Sequence, residues 1–283
     1  ASIMGLDSYR SILELYLQKI GEMDSNIDST GIDETAISID LGHYLEPWCA
    51  KKFAVWFKKE YEQDIEVKEE PNILVSEKCA YHIANIDRWF LDPEHDFKER
   101  AGLEIKTSGE YSKDEWEDDM MPEAAYLQIQ WYYLVTGYPR FFVVYLLGNR
   151  LFNAKYVPRN DNVINLLIKA VDDFWNKCII PLAPPMPDGS ASARKALGVM
   201  YSEDGKTEPM NFDDMQNDYD TYKVINQQIK ELQFELEKIK QKYMARMGND
   251  TFALTGGKKI LWRTINRKGY EVQPNTYRQF NIY

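Results

Sequence analysis

The segment Phe141–Leu147 is almost continuously apolar, and it constrains the fold more than any other part of the sequence. A strand that is apolar on both faces is typical of the centre of a sheet that is covered on both sides. Shorter apolar runs predict further strands at 73–75, 82–87 and 101–106. Apolar residues at helical spacing predict helices at 8–20, about 38–62, 122–136 and 161–180. The predicted fold class is α/β (α+β), with a central mixed β-sheet flanked by helices.

Two acids and a lysine stand in the predicted strands that precede this segment. Glu104 and Lys106 point to one face of a strand, because side chains alternate along it, and their spacing from Asp87 suits a hairpin. Carboxylates beside an ammonium form a poor core and a good site for a hard cation. A metal-dependent phosphodiesterase needs these groups to supply an attacking water and to neutralise charge on the phosphate. The alternative is an exposed Glu–Lys pair with Asp87 in a turn.

Two further segments favour the catalytic interpretation. Glu46 lies in an otherwise apolar helical stretch, where a buried acid needs a partner, and a metal is one candidate. Gln128 and Tyr132 share one face of the helix at 122–136 and are candidates to orient Lys106 or to contact phosphate. The alternatives are a surface glutamate at Glu46 and glutamines on the solvent side of the helix, which applies more readily to Gln130 than to Gln128.

The rest of the chain predicts three regions: a core at 1–185, a linker at 186–217 and an extension at 218–283. The acidic segment 110–121 is predicted to be a mobile loop. In the extension, a helix over 218–247 carries a heptad seam and a basic tail covers 252–283. The seam consists of Ile225, Ile229, Leu232, Leu236, Ile239 and Tyr243. The seam could serve oligomerisation or partner binding, or it could pack on the chain's own core, and the sequence does not decide between these alternatives.

Composition narrows the function classes. The net charge of −11 argues against a protein whose whole surface binds nucleic acid, although it allows a local basic groove. The 3 cysteines are too few and too scattered for a disulfide framework, a zinc knuckle or a four-cysteine cluster. For the 3 histidines we expect structural or surface roles. The sequence has no apolar run long enough to span a membrane and no Walker loop, so we expect a cytoplasmic protein that does not use ATP.

Taken in order, Glu46, Asp87, Glu104-Ile105-Lys106 and the Gln128 helix resemble the PD-(D/E)XK nuclease superfamily. More narrowly, they resemble the YqaJ-like viral recombinases related to lambda exonuclease, and the opening residues 1–9 are similar to that family's N-terminal segment. The resemblance spans about 1–185. The chain departs from the family at the residues beside Asp87, where Ile86 and Arg88 replace a usual proline or glycine.

The resemblance implies a restriction-endonuclease-like core and a Mg²⁺-dependent exonuclease, with Mn²⁺ able to substitute. Such an enzyme degrades one strand of duplex DNA from its 5′ end, beside a single-strand annealing protein, in a bacterial or phage-infected cell. It also implies a homo-oligomer, with a ring trimer as one form. Carried over by position, the metal ligands are Asp87, Glu104, the Ile105 carbonyl and Glu46. The catalytic residues are Lys106, Glu104, Asp87 and Gln128, and the DNA contacts are Arg88, Tyr132, Ser8 and Arg10.

Two other classes are weighed against this one. A catalytically idle DNA-binding or assembly protein would keep the fold and recruit partners through the heptad helix, but the intact Glu-Ile-Lys triplet favours the enzyme. A Cas4- or RecB-type nuclease with an iron–sulfur cluster is disfavoured by the cysteine count.

Overall fold

The computed structural model describes residues 1–7, 9–24, 34–118, 120–148, 150–202, 205 and 209–266. The chain divides into two compact units, residues 1–202 and residues 203–283. Within the described part of the chain, no helix is both long enough and apolar enough to cross a membrane.

The first unit contains five α-helices and seven strands among its described residues. The helices are α1 (Ile12–Ile20), α2 (Glu34–Tyr61), α3 (Glu123–Thr136), α4 (Asp161–Phe174) and α5 (Ala191–Met200). The strands are β1 (Lys68–Glu69), β2 (Leu74–Ser76), β3 (Cys79–Ala84), β4 (Arg88–Leu91), β5 (Arg100–Ser108), β6 (Phe141–Leu147) and β7 (Leu151–Val157).

The central sheet has the strand order β1-β4-β5-β6-β7. Strands β5 and β6 are parallel, whereas the other neighbours are antiparallel, so the sheet is mixed. Strands β2 and β3 form a separate antiparallel pair. The predicted fold class, a mixed sheet flanked by helices, is confirmed.

Two apolar layers cover the sheet. On one side, Phe53 and Phe57 of α2 pack against Phe90, Phe142 and neighbouring side chains of the sheet. On the other side, α3 packs against every second residue of β6, namely Phe141, Val143, Tyr145 and Leu147. Every residue of β6 is buried, as its continuous apolar sequence predicts.

Local sequence signals account for several helix ends. The hydroxyl of Ser11 accepts a hydrogen bond from the backbone N–H of Glu14, so α1 begins at Ile12 rather than at residue 8. Helix α3 begins after Pro122 and ends at Gly137, whose φ of 67° suits glycine. The predicted helix at 161–180 is α-helical to Phe174 and continues as one π-helical turn, Trp175–Ile179.

The strand predictions around the acids need one correction. The run 82–87 is not a single strand. Strand β3 ends at Ala84, and the next strand, β4, begins after Asp87. The hairpin partner of β5 is therefore β4, with Arg88 opposite Leu103. Asp87 lies at the bend between β3 and β4.

The acidic segment 110–121 was predicted to be a mobile loop, and this is wrong for its first half. Residues Glu110–Trp116 form a 3₁₀ helix. The Trp116 ring is buried and stacks on Tyr145 with 4.4 Å between ring centroids. The Nζ of Lys155 donates to the carbonyls of Trp116 and Met120, each at 2.8 Å. A single aromatic anchor produces no periodic pattern, so the sequence did not reveal it.

The region predicted as a linker, 186–217, contains helix α5. The hydroxyl of Ser190 caps this helix by accepting from the N–H of Ala193, and α5 contributes Ala196 to an apolar cluster with α1. Its side chains are small, and few apolar residues mark it as helical in the sequence.

The second unit contains α6 (Gln216–Met247) and an antiparallel pair, β8 (Phe252–Thr255) and β9 (Lys258–Leu261). Helix α6 spans the predicted heptad segment. Its seam residues are 39–70% exposed, so the described residues of its own unit leave the seam uncovered. The part of the predicted basic tail from residue 267 onward lies outside the described residues.

Candidate active site

Strand β5 carries Glu104 and Lys106 on the face that α3 covers. The alternation of the strand sends Leu103 and Ile105 to the α2 side and the acid and the lysine to the opposite side. Glu104 is 2% exposed, so its carboxylate lies in the core of the unit rather than on a strand edge. This burial excludes the alternative of an exposed Glu–Lys pair.

Asp87 reaches the same place from the bend before β4. Because Arg88 pairs with Leu103, the preceding residue Asp87 lies beside Glu104. The Oδ2 of Asp87 accepts a hydrogen bond of 2.7 Å from the backbone N–H of Ile105. The hairpin therefore brings together the acid and the Glu-Ile-Lys triplet, as the spacing in the sequence predicts.

A continuous chain of hydrogen bonds links β5 to α3. The Nζ of Lys106 lies 2.6 Å from Glu104 Oε1 and donates to Gln128 Oε1 at 2.9 Å. The Nε2 of Gln128 in turn donates to the hydroxyl of Tyr132 at 2.6 Å. Gln128 thus holds the ammonium from the helix side, and Tyr132 fixes the orientation of the Gln128 amide. The structure places all three side chains as the helical spacing of Gln128 and Tyr132 predicts.

One oxygen of this site lacks a partner. Among the residues that the structure describes, Glu104 Oε2 is the only buried side-chain oxygen or nitrogen without a hydrogen bond. Leaving such a group unsatisfied costs about 1–3 kcal/mol, and more when it carries charge. This oxygen is therefore the position in the site where a ligand could supply a missing partner.

The electrostatic environment of Asp87 also favours the binding of a cation. The pKa of Asp87 is raised to about 7, first by burial and then by the neighbouring Glu104 carboxylate, against the opposing effects of the Ile105 N–H and Lys106. Burial together with Glu104 and Asp87 also raises the pKa of the Tyr132 hydroxyl. The cluster carries more negative charge than its own cation balances, which is the condition that a divalent cation relieves.

Glu46 has a different partner from the one expected. Its carboxylate forms an ion pair with Arg88, and the Nη1 of Arg88 also donates to the backbone carbonyl of Asp87 at 2.6 Å. Burial raises the pKa of Glu46, Asp87 adds to this effect, and Arg88 opposes it. The buried acid predicted in α2 does have a partner, but the described partner is an arginine. Glu46 is therefore linked to the backbone of Asp87 through the guanidinium of Arg88.

The predicted DNA contacts occupy several environments. Arg88 and Tyr132 are 8% and 4% exposed, so neither presents a phosphate-binding surface, in contrast to the sequence prediction. Both are buried because they serve partners inside the fold, Glu46 and Gln128. Ser8 lies outside the described residues.

Arg10 lines an open groove of about 750 Å³, which Gln128 and Trp131 of α3 also line. Its guanidinium is partly exposed and donates to Ser2 and Gln18 at 3.1 and 3.2 Å. Among the described residues predicted to contact DNA, Arg10 is therefore the one that lines this groove, and the groove shares Gln128 with the site.

The two glutamines of α3 have separate roles. Gln130 is fully buried, its Nε2 donates to the carbonyl of Pro158, and its Oε1 accepts from the N–H of Asn160. The idea that Gln130 lies on the solvent side is wrong. It ties α3 to the loop before α4, whereas Gln128 faces Lys106. The sequence does not distinguish the roles of Gln128 and Gln130. The loop that Gln130 contacts comes after β6 and β7, so no local pattern reveals the contact.

Comparison with known proteins gives one family and one curated relative. Residues 1–139 match the family described as YqaJ-like viral recombinase domain. The chain is 28% identical over 266 residues to the protein YqaJ of Bacillus subtilis strain 168, covering 93% of this chain and 78% of YqaJ.

Two solved structures are also similar. One is an alkaline exonuclease, LHK-Exo, from Laribacter hongkongensis, at 19% identity and a TM-score of 0.44 over 59% of this chain and 76% of that chain. The other is a phage-related exonuclease from Haemophilus somnus 129PT, at 11% identity and a TM-score of 0.43 over 60% of this chain and 82% of that chain. By the match of residues 1–139, the chain is similar to the YqaJ-like viral recombinase domain family, which confirms the predicted resemblance to that family.

Proposed function

We propose that this chain is a Mg²⁺-dependent exonuclease that degrades one strand of linear duplex DNA from its 5′ end. The observation that carries the proposal is the group formed by Asp87, Glu104 and Lys106 in a YqaJ-like domain, with Glu104 Oε2 buried and unpartnered. A core that serves only stability gains nothing from this arrangement, because two adjacent buried carboxylates repel each other.

The donor set fits a hard divalent cation. Carboxylate and carbonyl oxygens are the ligands that Mg²⁺ prefers, and Mn²⁺ accepts the same ligands. Asp87, Glu104 and the carbonyl of Ile105 are the proposed ligands. When bound, the cation supplies charge neutralisation at the phosphate and helps to activate the attacking water.

The residues of the chain itself would position and stabilise the reacting groups. The ammonium of Lys106 is held by Glu104 and Gln128 through two of its three N–H bonds, at 2.6 and 2.9 Å. We propose that the third N–H is directed at the attacking water or at the phosphate oxygen where negative charge develops. Gln128 would keep the ammonium in place and Tyr132 would keep the Gln128 amide in place, so these two act on the reaction through Lys106.

Glu46 belongs to this proposal as a positioning residue. Its ion pair orients Arg88, whose guanidinium donates to the carbonyl of Asp87. A fixed Asp87 backbone holds the carboxylate toward Ile105 and Glu104. Loss of Glu46 would therefore loosen a metal ligand without removing one.

The family match supports a proposal for the substrate and for the partner that receives the product. We propose that duplex ends enter through the groove that Arg10 and Gln128 line, with Arg10 contacting a phosphate. We further propose that the product strand passes to a single-strand annealing protein during phage-type recombination.

A nuclease assay tests the proposed activity. Purified chain is incubated with linear duplex DNA bearing 5′ phosphates, with Mg²⁺ or with EDTA, and released nucleotides are measured. Release is expected to require Mg²⁺ and to disappear in Lys106→Ala. Lys113→Ala is the matched control, because Lys113 forms an exposed ion pair with Glu117 and is not one of the residues proposed to act in the reaction. Equal release by Lys106→Ala and the wild type would contradict the assignment.

Strand polarity is tested with end labels. A duplex labelled at its 5′ ends should release label as mononucleotide at the earliest times, whereas a duplex labelled at its 3′ ends should retain it until digestion is nearly complete. The reverse order would overturn the proposed 5′-to-3′ direction and leave the metal-dependent chemistry in place.

We also propose that the chain is a homo-oligomer, with a ring trimer as one arrangement. The exposed apolar seam of α6 supplies a surface for self-association. The mass of the wild type, measured by light scattering, should exceed that of one chain. Substitution of Leu232 and Leu236 by lysine reports whether α6 contributes, since charges in a heptad seam oppose helix pairing. A monomeric wild type would contradict the oligomer.

A further inference from the structure

A second group of potential ligands lies away from the two carboxylates. The Sγ of Cys79, a ring nitrogen of His82 and a carboxylate oxygen of Asp172 all lie within 4.8 Å of one another. His82 Nε2 is 2.9 Å from Asp172 Oδ1. Cys79 and His82 belong to β3 and Asp172 belongs to α4, so the cluster joins two elements that are distant along the chain.

The types of these ligands indicate which cation they would take. Mg²⁺ and Ca²⁺ bind oxygen ligands, whereas Zn²⁺ binds thiolate, imidazole and carboxylate together. Tetrahedral Zn²⁺ with bonds of about 2.0–2.3 Å holds its ligand atoms about 3.3–3.6 Å apart. The three ligand atoms lie within 4.8 Å of one another, so a bound ion would draw them closer, and rotation of the partly exposed Cys79 side chain is the movement proposed to allow this.

Neighbouring side chains already orient the three ligands. The Tyr81 hydroxyl donates to Asp172 Oδ1 at 2.9 Å, and its ring stacks on Trp175 with 4.7 Å between centroids. The buried His82 ring packs edge-on against Trp131, whose Nε1 donates to the backbone carbonyl of Ile83 at 2.9 Å. Outer contacts of this kind fix the orientation of metal ligands.

We propose that Cys79, His82 and Asp172 form a Zn²⁺ site, completed by a water molecule. The ion clamps β3 to α4. Because the chain runs from β3 through a short connection to Asp87, the clamp restrains the segment that delivers Asp87 to the hairpin. The site requires neither the nuclease activity nor the two carboxylates.

Co²⁺ is the probe for this site, because a thiolate bound to Co²⁺ gives a charge-transfer band in the near ultraviolet. The full chain is stripped with a chelator and titrated with Co²⁺ under reducing conditions. We expect the band to saturate at one Co²⁺ per chain and to disappear when Zn²⁺ is added. Asp87 and Glu104 contribute no sulfur, so cobalt held there cannot produce the band.

Three variants test which side chains bind the cobalt. Cys79→Ser should abolish the band, whereas Cys178→Ser, the matched control at another partly buried cysteine, should retain it. Asp172 is 37% exposed at its side chain, so Asp172→Asn should fold and should weaken Co²⁺ binding more than about tenfold. Circular dichroism confirms that each variant is folded.

Two outcomes overturn the proposal. Absence of the band in the wild type identifies the cluster as a hydrogen-bonded His–Asp–Tyr group that stabilises the fold without a metal. A band of equal strength in Cys79→Ser places the cobalt on another cysteine. Lys106→Ala should keep the band, so failure of the nuclease proposal and failure of the zinc proposal are distinguishable.

Discussion

Asp92 and Glu104 are both buried carboxylates, with exposures of 0% and 2%, yet they are satisfied in opposite ways. Asp92 Oδ1 accepts from Arg140 at 3.1 Å, and Asp92 Oδ2 lies 2.9 Å from His95 Nδ1. Glu104 has Lys106 on one oxygen and no partner on the other among the described residues. Both acids lie within the same unit and differ chiefly in what surrounds them.

The difference teaches how a structural acid and a functional acid are distinguished. A buried charge whose hydrogen bonds are all made has its desolvation cost offset by its partners, and removal of one partner is strongly destabilising. A buried charge with an open oxygen is stable only because the surrounding fold enforces it, which is typical of ligand and catalytic sites. Burial alone would have ranked the two acids as equivalent.

The largest effect on stability is expected at Asp92. Asp92→Asn removes the buried counter-charge of Arg140 and leaves the buried guanidinium paired with the exposed carboxylate of Glu94, at a cost of about 3–5 kcal/mol in the free energy of unfolding. Glu94→Gln is the control, because Glu94 pairs with the same Arg140 from an exposed position and should cost less than about 1 kcal/mol. Urea denaturation measures both. A small loss in Asp92→Asn would remove the contrast with Glu104.

Glu104→Gln should show the opposite pattern. The free energy of unfolding should change by about 1 kcal/mol or less, because the lost ion pair with Lys106 is offset by the lost repulsion from Asp87. Nucleotide release should fall at least about 100-fold, equivalent to roughly 2.7 kcal/mol, because a proposed metal ligand is weakened. A variant that is active but unstable would make Glu104 a structural acid like Asp92.

The pH dependence of stability sharpens the comparison further. The pKa of Asp87 in the folded chain is about 7, above its ordinary value of 3.8, so folding favours the protonated form. The stability that this provides is complete below about pH 4 and is lost as the pH rises through about 7. In EDTA, the wild type should lose roughly 2–3 kcal/mol relative to Asp87→Asn between pH 5 and pH 8. A constant difference between the two proteins would contradict the raised pKa.

The smallest effect is expected at Gln128. Gln128→Ala removes a hydrogen bond of 2.9 Å to the Lys106 ammonium, so nucleotide release should fall about tenfold, or roughly 1.4 kcal/mol. Gln130→Ala should instead lower the free energy of unfolding, because Gln130 ties α3 to the loop at Pro158 and Asn160. Activity per folded molecule and unfolding free energy are measured for both. Identical behaviour of the two variants would show that Gln128 has no special relation to Lys106.

Short-range rules were sufficient for the parts of the molecule that depend on local pattern. The apolar run of β6, the Pro122 and Gly137 boundaries of α3 and the shared face of Glu104 and Lys106 all follow from residue spacing and turn chemistry. The fold class follows from the same patterns. These features need no knowledge of which distant segments meet.

Features that depend on long-range pairing could not be derived in this way. The ion pair between Glu46 and Arg88 depends on the crossing of α2 over the sheet, and no local pattern reveals Arg88 as a buried cation. The same limit concealed Asp172 beside His82, since 90 residues separate them. A sequence shows that a buried acid needs a partner, and only the fold decides which partner it receives.

The most direct test of the account is the binding of Mn²⁺ to the full chain, measured by electron paramagnetic resonance at neutral pH. Mn²⁺ prefers oxygen ligands, so it reports on Asp87 and Glu104. We expect saturable binding to the wild type, at least about tenfold weaker binding to Glu104→Gln, and unchanged binding to Glu94→Gln. Equal affinity of the wild type and Glu104→Gln for Mn²⁺ would contradict the claim that the unpartnered oxygen of Glu104 is a metal ligand.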